Sequence, residues 1–185
     1  MMKQKFSEIR QSFNFGTLKI EPNVILSPMH GVTDQPFRRM CKELAGGNLG
    51  LLVSEFVSVA NLVSGSPKEM QMLEGHEKES PFAVQIFGAD LKDMIRGAQM
   101  AQSSGADAVE INCGCPAPKV VKRGGGSGLL KDLDYLKLLV SEIRKVTKIP
   151  LSMKVRAGWD VDDINAEKTL EIAEVLVRSG AVDVI

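Results

Sequence analysis

Short apolar runs alternate along the chain with segments of helical period. The apolar runs are Val24–Pro28, Leu51–Glu55, Phe82–Gly88, Ala108–Gly114 and Leu151–Gly158, and Val182–Ile185 opens a sixth. Each is bounded by Gly, Pro or Asp, as suits strands buried on both faces. Between them, apolar residues recur three and four apart. Phe37, Met40, Cys41 and Leu44 predict a helix over Pro36–Leu44. Leu91, Met94, Ile95 and Ala98 predict another over Asp90–Gln102, with Asp90 as its N-cap. Leu136, Leu139, Val140 and Ile143 form a stripe ending at Val146 behind a cap at Asp132 or Asp134. A last helix runs over Asp163–Ser179, with Gly180 closing it. Thr17–Leu26 reads as a small N-terminal hairpin, and Val57–Glu79 has no clean period.

Strand–helix alternation predicts a parallel α/β sheet, either open or closed into a barrel. Strand starts recur about every 32 residues, and eight such units give the roughly 250 residues of a (β/α)8 barrel. An open doubly wound sheet needs only five or six strands. No strand is followed by GxGxxG, since the one glycine cluster, Arg123–Gly128, lies well past the end of its strand. Periodicity alone leaves barrel and open sheet both standing.

The chain has 185 residues, 44% hydrophobic and 25% charged, with 23 basic and 23 acidic side chains. These proportions exclude a disordered chain, a collagen-like repeat and a coiled coil. Zero net charge excludes a uniformly basic nucleic-acid coat but leaves room for a local basic patch. No apolar run approaches the roughly 20 residues of a spanning helix, and the N-terminus lacks the apolar core of a secretory signal. Three cysteines, two of them nearly adjacent, form no disulfide framework. The expected compartment is therefore reducing and cytoplasmic. His30 and His76 lack ligand-spaced cysteine pairs, so no metal site is expected.

In either fold, ligands bind at the C-terminal ends of parallel strands, and the polar residues gather there. Strand one ends in Ser27-Pro28-Met29-His30-Gly31, strand three carries Gln85, strand four ends in Asn112-Cys113-Gly114-Cys115-Pro116, and strand five carries Lys154 and Arg156. Two amides, a lysine and a cysteine at one mouth suit a planar heteroaromatic cofactor. Lys154 in an otherwise apolar strand is expected to be buried and in need of a partner.

Four segments, SPMHGVTDQPFRRM (Ser27–Met40), QIFG (Gln85–Gly88), INCGCPAPKVVKRGGGSGLL (Ile111–Leu130) and MKVRAGW (Met153–Trp159), resemble the tRNA-dihydrouridine synthase family in content, order and separation. The resemblance covers roughly residues 17–185, leaving residues 1–16 as an N-terminal extension. It implies a TIM barrel, incomplete here at about five βα units plus a sixth strand. It also implies flavin mononucleotide as cofactor, NADPH or NADH as reductant, and reduction of the C5–C6 double bond of uridines in tRNA. Carried over residue by residue, Cys115 matches the catalytic cysteine. Pro28, Met29 and His30 match the loop under the flavin, Gln85 and Lys154 its polar contacts, and Asn112 the asparagine near flavin and substrate. At the position of His30 the family commonly has a small residue. A thiol of ordinary pKa, about 8.5, is mostly protonated at neutral pH and can deliver a proton to C5. The uridine must leave the RNA stack to reach it.

Lys119, Lys122, Arg123 and Lys131 follow Cys115 with no acid among them. Beside a uridine-reducing site they, together with Arg156, are expected to meet tRNA phosphates. Arg38 and Arg39 stand between that role and surface salt bridges. The run Gly124–Gly128 is expected to loosen the loop. Cys41, Cys113 and the methionines, Met40, Met94 and Met100 among them, are expected in the core, and His76 on the surface. Two other readings compete with the tRNA reductase: a flavin barrel reducing a free pyrimidine, as dihydroorotate dehydrogenases do, and an inactive fragment. The resemblance places a histidine loop, the flavin-phosphate strands and a helical tRNA-gripping domain after Ile185. Weak or absent flavin retention is thus expected of these 185 residues alone.

Overall fold

The chain enters through an antiparallel hairpin, β1 (Phe13–Phe15) and β2 (Leu18–Ile20), with Phe13 opposite Ile20. The computed structural model describes residues 11–159 and 165–185. After the hairpin come β3 (Ile25–Leu26), α1 (Gln35–Leu44), β4 (Leu51–Val53), β5 (Val57–Ser58), α2 (Val59–Val63), α3 (Pro67–Met72) and β6 (Phe82–Phe87). Then follow α4 (Leu91–Ser103), β7 (Ala108–Cys113), α5 (Pro118–Val121), α6 (Leu133–Val146), β8 (Leu151–Val155) and α7 (Ala166–Ser179). The hairpin thus sits at 13–20 instead of 17–26. Ile25 and Leu26 instead open the main sheet, pairing in parallel with Leu51 and Leu52.

The five main strands lie in the order β3-β4-β6-β7-β8, all parallel. Val184 continues the series with a parallel bridge to Ser152. This order never reverses. A doubly wound sheet turns back at its switch point, whereas strands laid down in sequence order curl toward a barrel. Strand order, invisible to periodicity, thus decides for the incomplete (β/α)8 barrel.

The central strands β4, β6 and β7 are buried on both faces, which explains their near-continuous apolar character. One face, with Val84, Ile86, Val109, Ile111, Cys113, Leu151 and Met153, packs under Met94, Ala98, Leu136, Leu139, Ile143, Ile172 and Leu176 of the helices. The other is the concave inner face. Its lower layer, Leu51, Val53, Ala83 and Ala108, is covered by Phe15 and Ile20 of the hairpin. Above it the inner positions become polar: Gln85 opposite Glu110, Glu110 opposite Ser152, and Asn112 opposite Lys154.

The caps agree with the sequence. Asp90 accepts from the Asp93 amide and starts α4, and Asp132, not Asp134, caps α6 through the Tyr135 amide. Gly180 ends α7 in the left-handed region. That helix begins at Ala166 behind Asn165, and the expected start at Asp163 lies outside the described residues.

Helix α1 departs from its apolar stripe. Met40 is 50% and Leu44 79% exposed, Cys41 is only half-buried, and the residue that α1 buries is Arg38. Its Nε donates to Glu79 Oε1 at 2.9 Å, its Nη1 to the Thr33 carbonyl and its Nη2 to the Glu74 carbonyl. The guanidinium also lies 4.5 Å from the centre of the Phe82 ring. Arg38 is therefore neither a phosphate contact nor a surface pair; it clamps α1 to the turn before β6. Met94 is core as expected, Met40 is not. His76 is half-buried and caps the turn Glu77–Glu79 by accepting from the Lys78 amide.

Candidate active site

Strand β7 ends by aiming Cys113 and Cys115 to different places. Cys113 points into the helix layer and is fully buried; burial pushes its thiol far up, so it stays neutral and inert. Cys115, two residues past the strand, is half-buried and lines a cavity of about 260 Å³ with Pro28, Phe56, Asn112, Gly114, Lys154, Val155 and Arg156. This cavity shares Pro28, Lys154 and Val155 with a larger one of about 480 Å³ over the inner face.

The turn carrying Cys115 is built from one side chain. Asn112 Oδ1 accepts from the Gly114 amide at 3.2 Å and from the Cys115 amide at 3.0 Å. Asn112 Nδ2 donates to Gln85 Oε1 at 2.9 Å, and Gln85 Nε2 donates to Glu110 Oε1 at 2.6 Å. Gln85 is completely buried with both ends of its amide engaged. It stands behind Asn112, supporting it, and not at the cavity wall where the sequence placed it.

Lys154 also differs from expectation. It is exposed, projecting from the inner face into the open mouth instead of lying buried in the sheet. Its charge draws the Glu110 carboxyl down, against a larger upward push from burial that leaves Glu110 above its ordinary range.

The loop after β3 is held by the Met29 amide donating to Thr33 Oγ1 at 2.9 Å, and by the Val32 and Thr33 amides donating to the Met29 carbonyl. Pro28 is half-buried at the shared cavity wall; Met29 and His30 are exposed. The His30 ring stacks on Phe56 at 4.7 Å with Nδ1 3.6 Å from Glu55, and Phe56 meets Phe87 edge-on at 4.9 Å. Glu55 also accepts from the Gly31 amide. Sequence reading missed Phe56, Glu55 and Glu110 as site residues. They lie beside the strand ends, but nothing local marks which neighbours the register brings to them.

Lys119, Lys122 and Arg123 are all exposed. Arg123 lines a cavity of about 190 Å³ with His30, Phe56, Phe87, Asn61 and Lys68. Lys131 is held over the Trp159 ring at 3.7 Å and so differs from the other three. The glycine run is not a loose loop. Gly125, Gly126 and Ser127 are buried, and the Ser127 amide donates to the Cys115 carbonyl at 3.0 Å. Gly126 has φ +59, and a Cβ there would sit 2.5 Å from the Cys115 carbonyl oxygen. The glycine is required by close approach, and the run braces the Cys115 turn from behind. Among the described residues, no group of His, Cys, Asp and Glu side chains is placed to hold a metal ion, and no helix is long and apolar enough to cross a membrane.

A parallel sheet wound in sequence order, with its polar and nucleophilic side chains at the carboxyl ends of the strands, is the arrangement of the TIM-barrel enzymes. The family model described as dihydrouridine synthase matches residues 25–185, and the chain belongs to that family. Curated relatives include tRNA-dihydrouridine synthase B of Pasteurella multocida, 37% identical over 165 residues, covering 89% of this chain and 48% of that protein. The protein of the same name from Pseudomonas syringae pv. tomato is 38% identical over 160 residues, covering 86% of this chain and 46% of its own length. That of Escherichia coli K12 is 35% identical over 159 residues, covering 86% and 49%. The chain spans about half the length of these relatives.

Proposed function

We propose that this site belongs to a tRNA-dihydrouridine synthase that reduces the C5–C6 double bond of a uridine in tRNA. The observation that carries the reading is the cavity joining Cys115, Asn112 and Lys154 at one mouth of the sheet. Relatives named tRNA-dihydrouridine synthase B support the choice of substrate.

The residues fit a flavin mononucleotide. The two neighbouring cavities share apolar lining at Pro28 and Val155, and an exposed ammonium at Lys154 to meet the electron-rich edge of a reduced ring. Pro28, Met29 and His30 would form its bed, and Asn112 its neighbour toward the substrate. When bound and reduced by NADPH or NADH, the flavin supplies a hydride to C6 of the uracil.

The chain's own residues do the rest. The Cys115 thiol holds the proton that C5 must receive. Asn112 fixes the backbone beside it through the Gly114 and Cys115 amides, so the thiol is placed before substrate arrives. Braced from behind by the buried Gly125, Gly126 and Ser127, the half-buried turn has little freedom to move the sulfur away. Lys119, Lys122 and Arg123, exposed on the segment that follows Cys115, would hold tRNA phosphates, with Arg156 at the cavity wall.

The purified protein, supplied with flavin mononucleotide, NADPH and an unmodified tRNA transcript, is expected to form dihydrouridine detectable by mass spectrometry of the digested RNA. Reduction of a free pyrimidine such as orotate, with none of tRNA, would overturn this reading and favour the small-molecule barrel.

A further inference from the structure

We infer that Glu110 is a positioning residue for Cys115: its carboxylate, acting through the Gln85 and Asn112 amides, sets the direction of the hydrogen-bond chain that holds the Cys115 backbone.

The two ends of the chain demand the same direction. At one end the Gly114 and Cys115 amides can only donate, so Asn112 must present its oxygen to them. Its nitrogen must then donate, and Gln85 must answer with its own oxygen, at 2.9 Å. That turns the Gln85 nitrogen to the far end, where it meets Glu110 Oε1 at 2.6 Å. An ionised carboxylate can only accept, so ionised Glu110 admits this one arrangement of both amides. A protonated carboxyl can donate, which admits the reversed Gln85 amide, and reversal would take away the acceptor that Asn112 uses. The protonation of Glu110 is thus readable at the Cys115 amide, three hydrogen bonds away.

The surroundings act on the Glu110 carboxyl in opposite directions. Burial pushes the Glu110 carboxyl up, while the Gln85 bond, the Lys154 charge and the Ser152 hydroxyl at 3.4 Å pull it back. From β6 it faces Gln85, and from β8 Ser152 and Lys154. Lys154 is the one other charged side chain among the described residues lining the 480 Å³ cavity that Glu110 borders. Nothing in the proposed reduction uses Glu110 directly, so its place behind two amides is otherwise unexplained.

The importance of Cys115 rests on the proposed function, but the coupling itself is tested without RNA or reductant. In the ¹⁵N-labelled chain, the side-chain amides of Gln85 and Asn112 and the backbone amide of Cys115 are followed by NMR from acid to alkaline pH. All three are expected to shift with one midpoint, above the ordinary carboxylate range of about 4.3. Glu110→Gln is expected to abolish that shift in all three. A Cys115 amide that stays still, that moves with a different midpoint, or that still titrates in Glu110→Gln would overturn the inference. Should Glu110→Gln not fold, Gln85→Met cuts the chain in the middle. The Glu110 carboxyl, observed by ¹³C, is then expected to titrate while the Cys115 amide falls silent; a Cys115 amide still following Glu110 would again refute it. Failure to reduce tRNA leaves this result untouched, and a silent Cys115 amide leaves the tRNA assay untouched, so the two failures are distinguishable.

Discussion

Cys115 and Cys113 show how two like residues two positions apart acquire opposite chemistry. Cys113 completes a strand and takes the outward, helix-facing position, where burial keeps its thiol neutral. Cys115 falls after the strand, in a turn whose shape is imposed by Asn112 in front and Gly126 behind. The second support yields a sharp prediction. Gly126→Ala puts a methyl 2.5 Å from the Cys115 carbonyl oxygen at a positive φ. It is expected to destabilise the protein by about 1–3 kcal/mol, read as a lower urea midpoint, and to slow uridine reduction by moving the turn. Gly31, with positive φ but open space around it, gives the control: Gly31→Ala carries only the conformational cost. Equal effects at both positions would show that the close approach does not matter.

Among the elements, the central strands were legible because burial on both faces leaves a near-continuous apolar run, and α4 and α6 because their caps and stripes coincide. Helix α1 was not. Its periodic Met40 and Leu44 face outward, and the residue that anchors it is a charged one whose partner lies 41 residues further along the chain. No local pattern announces such a pair. Both groups are nearly inaccessible, so removing one leaves the other charge buried and unpaired. Arg38→Ala is expected to cost about 3–5 kcal/mol, measured by equilibrium denaturation, and to loosen α1 and the turn before β6 first in hydrogen exchange. A cost below about 1 kcal/mol, the range of a surface pair, would contradict the clamp. The same limit hid the Glu110–Gln85 contact: each residue is visible in sequence, but only strand register places one opposite the other.

For the molecule as a whole, the strand order is the deciding fact. Five parallel strands in unbroken sequence order curl around an inner face that runs from apolar at the hairpin end to polar at the strand ends. That gradient puts the Cys115 turn, the exposed Lys154 and the basic residues after Cys115 at the same end. The motif residues identified that end from sequence; their division of labour came only with the packing, which moved Gln85 behind Asn112 and brought Lys154 into the open. In the proposed function Cys115 would hold the proton for C5 and take no part in charging a bound flavin. Stopped-flow absorbance of the flavin-loaded protein separates the two halves of the reaction in wild type and Cys115→Ala. Reduction of the flavin by NADPH is expected to be unchanged in the variant, and its reoxidation by tRNA to slow by about 10²–10⁴-fold. Loss of flavin reduction in Cys115→Ala, or reoxidation by tRNA at the wild-type rate, would contradict the account.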